Sequence, residues 1–416
     1  MKRSYYMVSL VFLIFFVISL LTNILGPIIP DIIDSFKLSL TAAALLPFSF
    51  FMAYGVMSIP AGMLIEAYRE KRIILGAFVA AFAAALAFAL APVYAAAVIS
   101  LFVIGAAMAM LQVAINPLLR VAGGEENFAF NSACAQLIFG SASFLSPRVY
   151  SYLAASMDVD RAGGKPVWLA VSKVVPRELP WISLYWIFAA VTLLMIVLIS
   201  ASRFPRVERT QQEQIGSWET HRRLFRRPVV LLYFTSVFAY VGAEQGAAVW
   251  MSKFLAVYHH YDPQTTGANA VSWFWGLLTA GCLLGMLLLK LFDSRKVLLA
   301  FTVGAMASLT AALFGSGQVA VLAFPLVGFF ASVMWPIVVS LGLNSVDEFH
   351  GAVSGILCTA IAGGAIVPLV IGKIGDHAGL RAGMAVLYVM FGWVLSVSFW
   401  AKPIIANRTI AASRAN

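Results

Sequence analysis

The chain of 416 residues is 62% hydrophobic and only 11% charged, with a mean hydropathy of +0.91; soluble domains run at roughly 45–50% apolar and about 25% charged residues. Its 28 basic and 18 acidic side chains cannot give a soluble protein of this length a charged surface. An ordinary soluble fold is excluded, and lipid is the solvent for most of the chain.

At roughly 20 apolar residues per membrane crossing, there is room for about a dozen helices and no large soluble domain. The first run, residues 7–33, follows Met1-Lys2-Arg3. It is too long for a signal peptide and lacks a small-residue cleavage site, so it reads as the first span. Runs at 42–65, 73–91, 93–119, 128–153 and 181–201 give five more spans, and those at 229–257, 267–291, 296–315, 318–343, 351–375 and 380–401 give another six. The runs lack the alternation of membrane barrels. The expected fold is therefore an all-α membrane protein with twelve transmembrane helices in two six-helix halves: residues 1–201 and 229–416, joined by a cytoplasmic linker at 202–228.

That linker carries Arg203, Arg206, Arg209, Arg222, Arg223, Arg226 and Arg227. The other long connection, 154–180, carries Asp158, Asp160, Gly163 and Gly164 and belongs on the opposite face. Placing both termini in the cytoplasm puts most basic residues on cytoplasmic segments. The expected location is the cytoplasmic (inner) membrane, with the arginine cluster anchored on anionic lipid; nucleic acid has no place in the reading. Cys134, Cys282 and Cys358 lie far apart in apolar runs, which argues against disulfides and zinc. His259 and His260 make weak metal spacing, there is no ATP-binding Walker loop, and no buried nucleophile, base or ligand cluster marks an enzyme.

A weak internal repeat relates the halves. Gly62-Met63-Leu64-Ile65 leads through Glu66, Arg69 and Lys71 into the third span, and Gly285-Met286-Leu287-Leu288 leads through Asp293 and Arg295 into the ninth. Parallel six-span repeats are the organisation of major facilitator transporters, in which this loop carries glycine, an acid and several bases. Here the copy is degenerate: Glu66 stands for the usual Asp, and Arg69 occupies the place of a second glycine.

An ionisable group in hydrocarbon is a functional hypothesis by default. Glu244, midway along the seventh span, is the one acid that falls neither in a loop nor at a span end, and no Lys or Arg lies at a helical neighbour position. It reads as a substrate ligand or a coupling site, with a neutral acid hydrogen-bonded between helices as the structural alternative. Gln112 and Asn116 lie four apart on the fourth span, before Pro117; Asn23 lies on the first, Gln136 on the fifth, Gln245 on the seventh and Ser340 on the tenth. Each is interhelical glue or part of one polar cavity. Trp250 and Trp335 lie deep enough to stack on a sugar face or to pack in the core, whereas Trp273 and Trp275 fit an interfacial belt. Glycines on the fifth and eleventh spans, Gly140 and Gly363 among them, read as sites of close helix approach.

Leu111-Gln112-Val113-Ala114-Ile115-Asn116-Pro117, Ala135-Gln136, Tyr240-Val241-Gly242-Ala243-Glu244, Ser340-Leu341-Gly342 and Ile361-Ala362-Gly363-Gly364-Ala365-Ile366-Val367-Pro368 resemble the fucose/hexose:proton symporter family of the major facilitator superfamily. Ile59-Pro60-Ala61-Gly62 fits as well, and the likeness runs through all twelve spans. The resemblance implies alternating access around a central sugar cavity, with Asn23, Gln112, Asn116, Gln136 and Glu244 at or near it. It also implies a monomer, a small-molecule substrate that is a sugar, and no cofactor beyond a coupling ion, H+ or Na+. Two positions depart: Gly26 and Gln112 stand where the fucose symporter has an aspartate and a glutamate. Either Glu244 has taken over proton coupling, or sodium drives transport, or the protein is a uniporter. The rival readings are an exporter of drugs or lipophilic compounds and a transport-inactive membrane sensor with the same fold.

Overall fold

The computed structural model describes residues 5–124, 128–156, 175–176, 179–204, 218–346 and 349–402. Asp158, Asp160, Gly163 and Gly164 of one long connection, and Arg206 and Arg209 of the other, lie outside the described residues, as do Met1, Lys2 and Arg3.

In hydrocarbon every backbone N–H and C=O needs a partner within the protein, which a helix supplies along its own length. The described residues accordingly form helices. The first span is Tyr5–Thr22 followed by Leu25–Phe36; the second to fifth are Leu40–Tyr68, Glu70–Leu90, Tyr94–Gly123 and Phe128–Ser156; the sixth is Ser183–Ala201. The seventh to ninth are Pro228–His259, Ala268–Leu291 and Ser294–Phe314. The tenth is Gly317–Ala331 followed by Met334–Leu343, the eleventh runs from His350 through a tight turn at Ala360–Ala362 to Ala378, and the twelfth is Leu380–Met384 followed by Val386–Trp400. Eleven of these helical segments are long and apolar enough to cross a membrane; Phe128–Ser156, 29 residues long, completes the twelve-span arrangement. The central connection also contains the short helix Trp218–Phe225, where the sequence suggested only an arginine-rich linker.

Two spans break for the same reason. Proline has no N–H, so it leaves the carbonyl four residues earlier without its helical donor. Pro27 frees the carbonyl of Asn23 at the break in the first span, and Pro336 frees that of Ser332 at the break in the tenth. The second is answered across the bundle: the Cys282 thiol donates to the Ser332 carbonyl at 3.3 Å.

Small residues set how closely the halves meet. The second span packs against the eleventh and the fifth against the eighth. A Cβ on Gly140 would stand 2.0 Å from Thr279 Oγ1, and one on Gly276 would stand 2.6 Å from the Phe144 ring. Ser272 donates to the Phe144 carbonyl at 2.6 Å on the same seam. Within the second half, a Cβ on Gly363 would lie 2.0 Å from the Phe238 carbonyl oxygen. Side chains larger than hydrogen are sterically forbidden at these crossings.

The two copies of the repeat differ in their turns. Asp293 caps the ninth span, accepting from the Arg295 backbone at 2.8 Å and pairing with its guanidinium at 3.3 Å. Burial alone would raise the Asp293 pKa, but the bonds and charge of Arg295, with Lys296, hold it below the ordinary carboxylate value. Between the second and third spans, Arg69 has φ +70° and ψ 156°, a conformation almost confined to glycine and costing about 1–3 kcal/mol elsewhere. The residue that departs from glycine in sequence thus carries the strain that glycine would avoid. Arg69→Gly is expected to stabilise the protein by about 1 kcal/mol despite glycine's entropy cost, read as a rise in thermal unfolding temperature in detergent; a fall would show that the Arg69 side chain compensates the strain.

Candidate functional site

The two ends of the bundle are built differently. At the end where the first and seventh spans finish, the halves are in contact. A Cβ on Gly26 would lie 2.3 Å from the Ala248 carbonyl oxygen, so only glycine lets the first span lie against the seventh there. Three carboxylates join the halves at this end. Asp376, at the close of the eleventh span, accepts from the Leu40 and Thr41 backbone N–H groups at 2.8 and 2.9 Å and from the Thr41 hydroxyl at 2.6 Å, capping the second span. Asp34 meets Lys253 at 3.4 Å. Asp31 accepts from Gln264 Nε2 at 3.2 Å and from the Tyr150 hydroxyl of its own half.

Towards the opposite end the fourth and tenth spans do not pack closely on one another. On one face of the fourth span Gly105 and Ala109 are buried, Gln112 is half-buried and Asn116 is exposed. On the tenth, Ser332 and Val333 are buried while Pro336 and Ser340 are exposed. Gln136 is exposed on the fifth span. Faces that are buried near the closed end become accessible towards the other, which is the signature of a cleft between the halves.

Glu244 lies between these regions. The Tyr240 hydroxyl, one helical turn before it, donates to Oε1 at 2.6 Å, and Gln245 Nε2 reaches Oε2 at 3.5 Å. Among the described residues no Lys, Arg or His forms an ion pair with it. Tyr240 in turn lies beside half-buried Trp335, ring centroids 6.3 Å apart.

Asn23 and Gln245 are buried and line one small cavity across the first and seventh spans, with Thr22, Gly26 and Trp275. Asn23 Nδ2 donates to Ser143 at 2.8 Å, and Ser143 also bonds Ser19 at 2.7 Å; this ties the break of the first span to the fifth. Gln112 Oε1 is buried without a donor among the described residues. Among the described residues Asn116 reaches only the Gln112 carbonyl, at 3.5 Å, and Ser340 accepts from Asn344 at 3.5 Å. Trp250 is fully buried and donates its indole N–H to the Pro368 carbonyl at 3.0 Å. It thus packs the seventh span on the eleventh. Tyr240 was within reach of sequence reasoning, four residues before Glu244 on one helix face; the pattern assigned Trp275 to an interfacial belt, and nothing in it marked Ser143 as a partner of Asn23.

Residues 11–368 match the Major Facilitator Superfamily. The chain belongs to this superfamily of membrane transporters and is a multi-pass membrane protein. Among curated proteins, it is 28% identical over 391 residues to a glucose/galactose transporter of Brucella abortus, covering 92% of this chain and 90% of that one. It is also 28% identical over 400 residues to the L-fucose-proton symporter of Escherichia coli, with 91% and 89% covered. Among solved structures, the E. coli fucose:proton symporter superposes with a TM-score of 0.67 at 24% identity, over 96% of this chain and 100% of that one. The organisation in two six-helix halves is that of the superfamily.

The closed end supplies a direct check. Removing the Asp376 carboxylate deprives the second span of its cap, a loss of about 1 kcal/mol. In Asp376→Ala, the amides of Leu40 and Thr41 should exchange with deuterium roughly five-fold faster, that cost expressed as an opening equilibrium; unchanged exchange would mean that the cap does not hold this end.

Proposed function

We propose that the chain is a secondary active transporter that moves a hexose or related sugar across the cytoplasmic membrane by alternating access. The observation that carries the reading is the arrangement around Glu244: one membrane-embedded acid, bonded to Tyr240 and Gln245, beside a seam lined by neutral amides and between two six-helix halves. Amides and aromatic faces suit a neutral polyol, whose hydroxyls both donate and accept while its C–H faces stack on rings such as Trp335. The names of the relatives favour the same substrate class. The polar groups converging on the cleft argue against an exporter of lipophilic compounds.

In this proposal residues 1–201 and 229–416 rock as two bodies about the cleft, linked by 202–228, and the protein works as a monomer in lipid. Both termini face the cytoplasm, so the structure is closed outwards and open inwards. Asn23, Gln112, Asn116, Gln136, Gln245, Trp335 and Ser340 contact the solute at some stage of the cycle. Trp250 keeps the seventh span against the eleventh and acts on the site through that packing. Glu244 is the coupling residue, binding H+ or Na+. It takes the part that Gly26 and Gln112, lacking carboxylates, cannot play.

The test is uptake of labelled hexoses into proteoliposomes under imposed proton or sodium gradients. Accumulation or exchange faster than in empty vesicles is expected. Glu244→Gln should abolish gradient-driven accumulation while leaving the fold intact by size exclusion. Absence of any sugar flux would overturn the transport assignment, and unchanged driven uptake by Glu244→Gln would overturn the coupling role. A second expectation concerns Gln112, whose Oε1 is buried without a donor among the described residues: Gln112→Ala should weaken sugar binding by roughly 1–3 kcal/mol, the usual cost of leaving a buried polar group unpaired, in an isotherm on purified protein.

A further inference from the structure

At the break of the first span a small cavity of about 10 Å³ lies on the seam between the halves, bounded by Thr22, Asn23, Gly26, Gln245, Val271 and Trp275. This is room for one water-sized group. The residues that bound it carry two kinds of polar atom. Acceptors dominate: the carbonyls of Asn23 and Gly26 have lost their helical donors because Pro27 and Pro30 stand four residues on, and each amide side chain adds an oxygen. The Asn23 amide nitrogen is already committed to Ser143. The sole indole on the wall is Trp275, 5% exposed, and its Nε1–H is buried without an acceptor among the described residues. A buried donor left unmade is costly, so an occupant that reaches Trp275 Nε1 has to accept from it and donate to the oxygens around it. A metal cation satisfies the acceptors and is repelled by the N–H. A hydroxyl group satisfies both.

We infer that Trp275 is a specificity-determining residue, donating its indole N–H to one hydroxyl of the transported polyol at a subsite shared by Asn23 of one half and Gln245 of the other. The inference rests on the sugar reading above and sharpens it. The subsite lies where Gly26 meets Ala248 at the closed end, so a hydroxyl seated there touches both halves at once. One substrate hydroxyl is thereby read by a residue on the eighth span, away from the amides of the fourth and fifth.

The test compares binding of glucose and galactose with each of their monodeoxy analogues to the wild-type protein and to two variants. Trp275→Phe removes the donor and part of the ring. Benzothienylalanine at position 275 keeps the bicyclic shape and replaces only the N–H by sulfur, which guards against a packing or folding defect in the first variant. The wild type should disfavour one deoxy position by roughly ten-fold, as expected when a buried donor loses its acceptor. Both variants should bind the parent sugar about ten-fold more weakly and lose discrimination at that position alone. Equal weakening for every analogue, or discrimination retained with benzothienylalanine, would overturn the role and leave the cavity with a structural water only. Failure of the wild type to bind any sugar would overturn the sugar reading itself, a result distinguishable from the others because it precedes any variant.

Discussion

The bilayer core gives a polar group no partner, and leaving one unmatched there costs several kcal/mol. This constraint organises the protein. It forces the backbone into helices, and it sends deep polar groups such as Asn23, Gln245 and Asn116 towards the seam between halves or into water at the cleft. Where Pro336 removes the backbone donor of the Ser332 carbonyl, Cys282 of another span is brought up to replace it. Glu244 obeys the same rule, taking its hydrogen bonds from Tyr240 on its own helix and from the neighbouring Gln245.

The closed end shows how a contact can hold without being permanent. Asp376 on two backbone amides, Asp34 on Lys253 and Asp31 on Gln264 all join segments of different halves. All lie at the margin of the bundle, where water can take over their bonds, so each contributes modestly. Closer to the centre the halves meet through glycine on backbone, as at Gly26 and Ala248. Such a joint has no side chain to disentangle. A seam of this kind suits two bodies that move against each other as units.

Much of this was legible in the sequence. The apolar runs predict the spans because helix length is set by bilayer thickness, and the repeat of Gly62 and Gly285 falls where two related turns occur. The departure of Arg69 from glycine reappears as a positive φ. The isolation of Glu244 from basic residues also carried over, since it depended only on spacing along one helix. Rotation of each helix about its axis was not legible. Depth left Trp250 open between a stacking platform and a core residue, and it packs on the eleventh span; Trp275 looked like an interfacial residue but lines the cavity at the seam. A span apolar on nearly every side has no amphipathic stripe to show which face meets which neighbour. The short helix Trp218–Phe225 was hidden for a different reason: its arginines read as topology before they read as one face of a helix.

If the polar faces exposed on the fourth, fifth and tenth spans form one cleft through which a sugar passes, a bound sugar must shield them. Solute protection of an engineered thiol reads this shielding. In a variant lacking the three native cysteines, Asn116→Cys should react with a water-soluble maleimide, and glucose or galactose at saturation should slow that reaction several-fold. A cysteine at Phe292, exposed in the turn after the eighth span, should react at the same rate with and without sugar. Equal rates at Asn116→Cys in the presence and absence of every sugar that the protein transports would contradict a sugar path through this cleft.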